Sequence, residues 1–266
     1  MKMKTIFITG STDGIGKKTA IKLAKDGHQI IVHGRSPEKL EATIKEVKQV
    51  SGNENVNGFL ADFSNLKSVA HMANQIVKQY PKIDVLINNA GIFKTSIEQN
   101  QEGLDVRFVV NFLSPVLLTD LLKPLLEKGE SPRIVNLSSA AQATVSMLAL
   151  RGDEHVGMQQ AYAQSKLALT MWSFDFAKAN SEIVTIAVNP GSLLNTKMAL
   201  ETYGQHWSPA EKGVDILSEL ALSDKHAAHS GAYFDNDKGA YADAHPDAYD
   251  PEKINQLLTK TNTLIK

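Results

Sequence analysis

The chain carries its apolar residues in two rhythms. Short runs with little polar alternation recur at 5–9, 29–33, 56–60, 83–87, 133–137, 183–188 and 232–234. Such runs suit strands covered on both faces. Between them the apolar residues fall at helical spacing. Leu40, Ile44 and Val47 mark one helix face, and Leu66, Val69, Ala70, Ala73, Ile76 and Val77 mark another. Further helices are predicted from about 103 to 126, through Tyr162 to about 179, and from 210 to about 222. Gly27 is placed to cap the first helix, which ends near Asp26. Ser36-Pro37 supplies an N-cap and a first-turn proline. Ser208-Pro209-Ala210-Glu211 reads as a capping box, and Asp250-Pro251-Glu252 as the start of a last helix. The stretch before that helix, with Gly239, Tyr241, His245, Pro246 and Tyr249, has no period and predicts a surface loop.

Strands alternating with helices predict right-handed βαβ units. The expected fold class is α/β: a single doubly wound (Rossmann) domain, its central parallel sheet of about seven strands covered by helices on both faces. No linker, repeat or low-complexity tract divides residues 1–266, and 236–266 is a C-terminal extension. The chain has no cysteine, which rules out disulfides, a cysteine nucleophile and a thiolate metal site. No metal is expected. A net charge of -1 gives no reason to expect nucleic acid or an anionic membrane as partner. Met1-Lys2-Met3-Lys4 runs straight into a short strand, too short a segment for a signal peptide or a span. The expectation is a cytoplasmic protein with no membrane partner.

The chemistry gathers at strand ends. Gly10-Ser11-Thr12-Asp13-Gly14-Ile15-Gly16 follows the first strand and opens a helix. Glycine permits close backbone approach, and a helix N-terminus favours a pyrophosphate. The alternative is an ordinary tight turn. After the second strand stand His33-Gly34-Arg35, with no acid before Glu38 to meet a ribose 2′-hydroxyl. Arg35 can pair with a 2′-phosphate, so NADP(H) is favoured over NAD(H). Asp62, after the third strand, can cap the next helix or accept from an adenine amine. Asn88-Asn89-Ala90-Gly91 ends the fourth strand, where ligands bind in open sheets. Its amides can tie neighbouring loops together, and its small residues let a cofactor lie close. Tyr162 and Lys166 lie four apart on one helix face. A nearby ammonium lowers a phenol's pKa and suits it to proton transfer. Asn111 precedes Pro115 by four residues, so its carbonyl loses its helical N–H partner and the helix should kink.

In this order and setting, Thr9-Gly10-(x)3-Gly14-Ile15-Gly16, Asn88-Asn89-Ala90-Gly91, Asn111, Ser139, Tyr162-x-x-x-Lys166 and Asn189-Pro190-Gly191 resemble the short-chain dehydrogenase/reductase family. The resemblance covers roughly residues 4 to 235. The long gap from Ser139 to Tyr162 and the Leu60-Ala61-Asp62-Phe63-Ser64 stretch are similar to the branch of retinol dehydrogenases and the WW-domain oxidoreductase. The resemblance implies a catalytic set of Asn111, Ser139, Tyr162 and Lys166, Ser139 being the second of two adjacent serines. It implies that Lys166 holds the nicotinamide ribose and that the Asn111 carbonyl binds a water relaying protons to the lysine. It implies that Pro190-Gly191 meets the nicotinamide carboxamide, with Thr196 a hydroxyl donor; Asn195 stands where relatives often have the threonine. Pairing through the long helix and the Tyr162 helix, as a homodimer or homotetramer, is also implied. Trp172, Phe174 and Phe176 would serve that interface or the core. Membrane-bound members carry an N-terminal anchor that this sequence does not show, so retinoid specificity is not carried over.

The expected activity is NADP(H)-dependent hydride transfer on an alcohol, ketone or aldehyde. The rivals are epimerisation or dehydration on the same scaffold, and a non-enzymatic dinucleotide sensor. Loops at about 140–160 and 192–210 should border the substrate. Met147, Leu148, Met198, Leu200 and Trp207 there would form an apolar pocket, or else pack together as core. His155 reads as a loop residue.

Overall fold

Seven of the apolar runs pair side by side in the computed structural model, which describes residues 2–266. They are β1 (Thr5–Ile8), β2 (Gln29–Gly34), β3 (Val56–Leu60), β4 (Val85–Asn88), β5 (Arg133–Leu137), β6 (Val184–Asn189) and β7 (Ala232–Asp235), all parallel. An eighth strand, β8 (Ala240–Ala242), runs antiparallel to β7, giving the order β3-β2-β1-β4-β5-β6-β7-β8. This corrects the expected surface loop. Three residues are too few to show a period, and the strand is fixed instead by pairing with β7 and by the Tyr241 ring on Phe234, 5.1 Å between centroids. Pro246–Tyr249, in the same stretch, forms a 3₁₀ turn.

Successive strand side chains point to opposite faces, and two cores result. Phe7, Ile31, Leu86 and Ile134 pack toward α3 (Leu66–Gln79), α5 (Ser114–Leu126) and α7 (Met158–Ala179). Ile6, Ile30, Val85 and Val135 pack toward α1 (Gly14–Lys25), α2 (Pro37–Ser51) and α9 (Ala210–Leu222). The buried side of α3 includes Met72, whereas Val77 is exposed. Two helix starts differ from expectation. Asn65, not Asp62, caps α3, because its Oδ1 accepts from Lys67 and Ser68. Pro209 occupies the N-cap of α9 without a side-chain bond, so Ser208 forms no capping box. The Ser208 backbone is drawn instead into a bridge with Leu194, where its carbonyl accepts from the Asn195 N–H.

The long central helix has three parts: α4 (Val106–Phe108), a π-helical segment (Val109–Leu113) and α5. Pro115 has no N–H to offer the Asn111 carbonyl, and Ser114 donates five residues back, to Val109. The expected break is therefore absorbed as a widened turn. By length and composition, Val106–Leu126 is the one described helix apolar enough to cross a membrane, but its residues are mostly buried. Trp172 and Phe176 on α7 are buried in the core, and Phe174 meets Tyr249 at 5.4 Å. α10 (Pro251–Leu264) and the 3₁₀ turn before it lie against α7. The short helices α6 (Met147–Leu150) and α8 (Lys197–Tyr203) sit in the two loops expected to border the substrate.

Candidate active site

β1 and β4 are neighbours, yet the chain leaves them toward opposite edges of the sheet. That reversal opens a crevice at their carboxyl ends. The glycine turn lies at its mouth. Gly10 has φ +61, and a Cβ there would stand 2.7 Å from Ala90 Cα. A Cβ on Gly16 would stand 2.3 Å from Asn89 Nδ2. These two glycines are thus required by close packing against the end of β4. The Gly14 position is open, its nearest neighbour being Thr196 Cγ2 at 3.9 Å. Asp13 accepts from the Gly14 N–H at 2.7 Å and caps α1. Ser11 is buried, and its hydroxyl donates to Ile8 and accepts from the His33 N–H. The Thr12 side chain packs over Gly34, and Ile15 is half-buried beside Gly213.

His33 is a structural part of this turn, with no sequence signal of its own. Its Nδ1 accepts from the Gly10 N–H at 2.9 Å, which leaves Nε2 to donate to the Ala61 carbonyl at 3.1 Å. Burial pushes the imidazole down to about 4 and keeps it neutral. One side chain thereby joins the ends of β1, β2 and β3. Arg35 follows, exposed. Asp62 is also exposed and accepts from the N–H and hydroxyl of Ser64.

The amides ending β4 divide their work. Asn88 is buried and donates to Asn136 and Thr119. Asn89 donates to the carbonyls of Thr9 and Gly10, at 2.8 and 2.9 Å. The Thr9 hydroxyl accepts in return from the N–H groups of Asn89 and Ala90. Gly91 lies above the catalytic candidates: a Cβ there would be 3.5 Å from both Asn111 Oδ1 and Lys166 Nζ.

Asn111, Tyr162 and Lys166 come together as expected. The Asn111 amide grips Ile92, accepting from its N–H at 2.8 Å and donating to its carbonyl at 3.0 Å. It also donates to Ser165 Oγ, which donates to the Tyr162 carbonyl at 2.7 Å. Lys166 is buried and donates to the Leu137 carbonyl at 2.7 Å. Desolvation pushes its ammonium down to about 8. Its Nζ lies 5.6 Å from the centre of the Tyr162 ring. Tyr162 is half-buried, with its ring 4.6 Å from that of Phe93.

The two serines after β5 are clearly separated. Ser138 is buried, bonded to the Lys166 carbonyl and to Thr170. Ser139 is half-buried, and its carbonyl is held by Gln142 and by the hydroxyl of Tyr233 on β7. Its hydroxyl accepts from the Ala141 N–H at 3.1 Å. After β6, Pro190 receives a bond from Asn236, and Gly191 has φ +122. Thr196 caps α8, and its methyl faces the Gly14 turn across the crevice. Leu148, Met198, Leu200 and Trp207 are exposed, so they are not core; Met147 is half-buried against the larger core cluster. His155 is exposed in its loop.

These residues fit a dinucleotide. The cradle at Gly14 is open, and Arg35, Asp62, Asn89-Ala90-Gly91 and Pro190-Gly191 all stand at carboxyl ends of strands in one sheet. Fold and site together define a nicotinamide-dependent oxidoreductase. Residues 4–206 match the short chain dehydrogenase family profile. The chain belongs to that family, in its retinol dehydrogenase branch. It is 32% identical to human retinol dehydrogenase 13 over 282 residues, covering 98% of this chain and 84% of that protein. A Streptomyces protein named as a candidate daunorubicin C-13 ketoreductase is 32% identical, over 87% of this chain and 82% of its own. A Shigella flexneri 2a protein named as a candidate short chain dehydrogenase and crystallised with NADP is 26% identical, with a TM-score of 0.71, over 88% of this chain and 97% of that chain.

Proposed function

We propose that this chain interconverts an apolar alcohol and its ketone or aldehyde with NADP(H), Tyr162 acting as the proton donor and acceptor. The observation that carries the reading is the convergence of Tyr162, Lys166 and Asn111 beneath Gly91 at the end of β4. When bound, the nicotinamide supplies or accepts the hydride. Tyr162 gives its hydroxyl proton to the carbonyl oxygen as negative charge builds there, and takes it back in oxidation. Ser139 Oγ donates a hydrogen bond to the same oxygen. Lys166, charged below a pH of about 8, favours the phenolate and would hold the nicotinamide ribose. The Asn111 carbonyl, without an N–H from Pro115, offers a water a place behind the lysine. Arg35 would meet a 2′-phosphate, and the backbone at Gly14 the pyrophosphate.

An apolar substrate is favoured by the exposed Leu148, Met198, Leu200 and Trp207 in the two bordering loops. The names of the relatives above, a retinol dehydrogenase and a candidate ketoreductase, point the same way. A panel of aromatic and aliphatic aldehydes and ketones, followed by NADPH absorbance and product analysis, tests the reading. Tyr162→Phe should lower kcat by at least about 10²-fold, the usual worth of a general acid. Full turnover in that variant defeats the acid/base assignment. Product formation with no net cofactor change would favour epimerisation or dehydration.

A further inference from the structure

Among the described residues Arg107 is the largest fully buried side chain, only 1% exposed, and the proton transfer just described makes no use of it. It lies four residues before Asn111, so the two share one face of the central helix. Both grip the same short segment. Asn111 holds Ile92 by its N–H and its carbonyl. Arg107 Nε donates to the carbonyl of the next residue, Phe93, at 2.9 Å. The guanidinium is oriented by Asp105, whose two oxygens accept from Nη1 at 3.1 and 2.9 Å. Glu98 lies 4.0 Å from Nη2. A buried guanidinium is costly unless it is paired and hydrogen-bonded. Here one of its bonds ends on the backbone carbonyl of Phe93, whose ring meets that of Tyr162 at 4.6 Å between centroids.

We propose that Arg107 is a positioning residue for proton transfer: by fixing Phe93 it holds the Tyr162 phenol in its working pose. The proposal rests on the acid/base reading of Tyr162. Two tethers reach the tyrosine from the same helix. One runs from Asn111 through Ser165 to the Tyr162 carbonyl and sets the backbone. The other runs from Arg107 through Phe93 to the ring and sets the side chain. The guanidinium's planar fork is what reaches Asp105 and the Phe93 carbonyl together. A lysine keeps the charge beside Asp105 but has no second arm. A small loss of aim at a proton donor costs rate rather than binding.

The test uses the full chain with ring-labelled tyrosine, observed by NMR. The Tyr162 signal is the one lost in Tyr162→Phe. In Arg107→Lys that signal should move in the same direction as in Phe93→Leu, because both relax the ring contact, while the other tyrosines stay in place. A Tyr162 signal unmoved in a folded Arg107→Lys variant overturns the proposal. Phe93→Leu leaves the Phe93 carbonyl in place and keeps the test open if Arg107→Lys does not fold. With NADPH and 4-nitrobenzaldehyde, Phe93→Leu should lower kcat about tenfold, with KM within about twofold. Adding Arg107→Lys should lower it little further, since both act through one contact. If Tyr162→Phe abolishes turnover and Phe93→Leu leaves kcat unchanged, the clamp fails alone. If Tyr162→Phe turns over normally, the acid/base reading fails instead, and the NMR result still decides the clamp.

Discussion

At the scale of single residues, the site depends on two buried titratable groups whose ionisation burial shifts downward. His33 must stay neutral, because its Nδ1 accepts from the Gly10 N–H. Unfolded, it takes up a proton near 6.5; folded, only near 4. The unfolded chain therefore binds more protons between these values, and stability falls as pH drops through that window. The gap amounts to roughly 3 kcal/mol. Urea titrations of wild type and His33→Asn at pH 7 and pH 4 should differ in their acid loss by about that amount. An equal loss in both would remove His33 as the cause. Lys166 is pushed down to about 8, so its charge goes as pH rises past that value. On the proposed mechanism, kcat/KM for reduction should decline above a pH of about 8, and Lys166→Arg should carry the decline to higher pH even at a lower rate. A decline left in place by that variant belongs to another group. Tyr162 and Lys166 were legible because their spacing on a helix is itself the signal. His33 and Arg107 were not. Their partners are backbone atoms of Gly10 and Ala61, and of Phe93, brought near only by the sheet and the central helix.

At the scale of elements, chain punctuation is most legible where a local rule acts alone. Ser36-Pro37 starts α2, and Asp250-Pro251 starts α10. The capping box at Ser208 failed because a long-range bridge to Leu194 claims that residue's backbone first. β8 carries no sequence signal for a related reason: its pairing partner, not its own pattern, makes it a strand. Pro115 is legible as a cause, although its consequence is a π-helical segment. The glycine turn shows the same distinction between local and tertiary demands. A methyl on Gly16 would stand 2.3 Å from Asn89 Nδ2 and 2.7 Å from the Gly10 carbonyl. It must displace the amide that ties β1 to β4. Gly27 has φ +83 but open space around it. Gly16→Ala should cost roughly 1–3 kcal/mol through overpacking and weaken cofactor binding. Gly27→Ala should cost about 1 kcal/mol from its backbone alone and leave cofactor binding unchanged. Denaturant unfolding combined with NADPH titration checks both, and equal binding in the two variants would deny Gly16 any role in shaping the crevice.

For the whole molecule, the order of strands decides where a ligand can matter. The reversal between β1 and β4 places the glycine turn, Arg35, Asp62 and the Lys166 cluster along one edge of one sheet, although they are spread over more than 150 residues of sequence. A ligand spanning that edge binds only the folded chain, so its affinity appears directly as stability. At about 100 times its Kd such a ligand adds ~2.7 kcal/mol. For a chain of this size that corresponds to a rise in Tm of roughly 5–10 °C. NADP⁺ should give that rise and NAD⁺ at the same concentration a smaller one, because Arg35 stands exposed where the extra phosphate would lie and the sequence offers no acid before Glu38. Arg35→Glu should reverse the preference, since a carboxylate repels the phosphate and accepts from a free 2′-hydroxyl. Thermal unfolding of both forms with each cofactor measures this without any substrate. Equal shifts in the wild type would mean that the adenosine end of the crevice does not discriminate through Arg35. A shift from neither cofactor would place the fault earlier, in the fit of the glycine cradle itself.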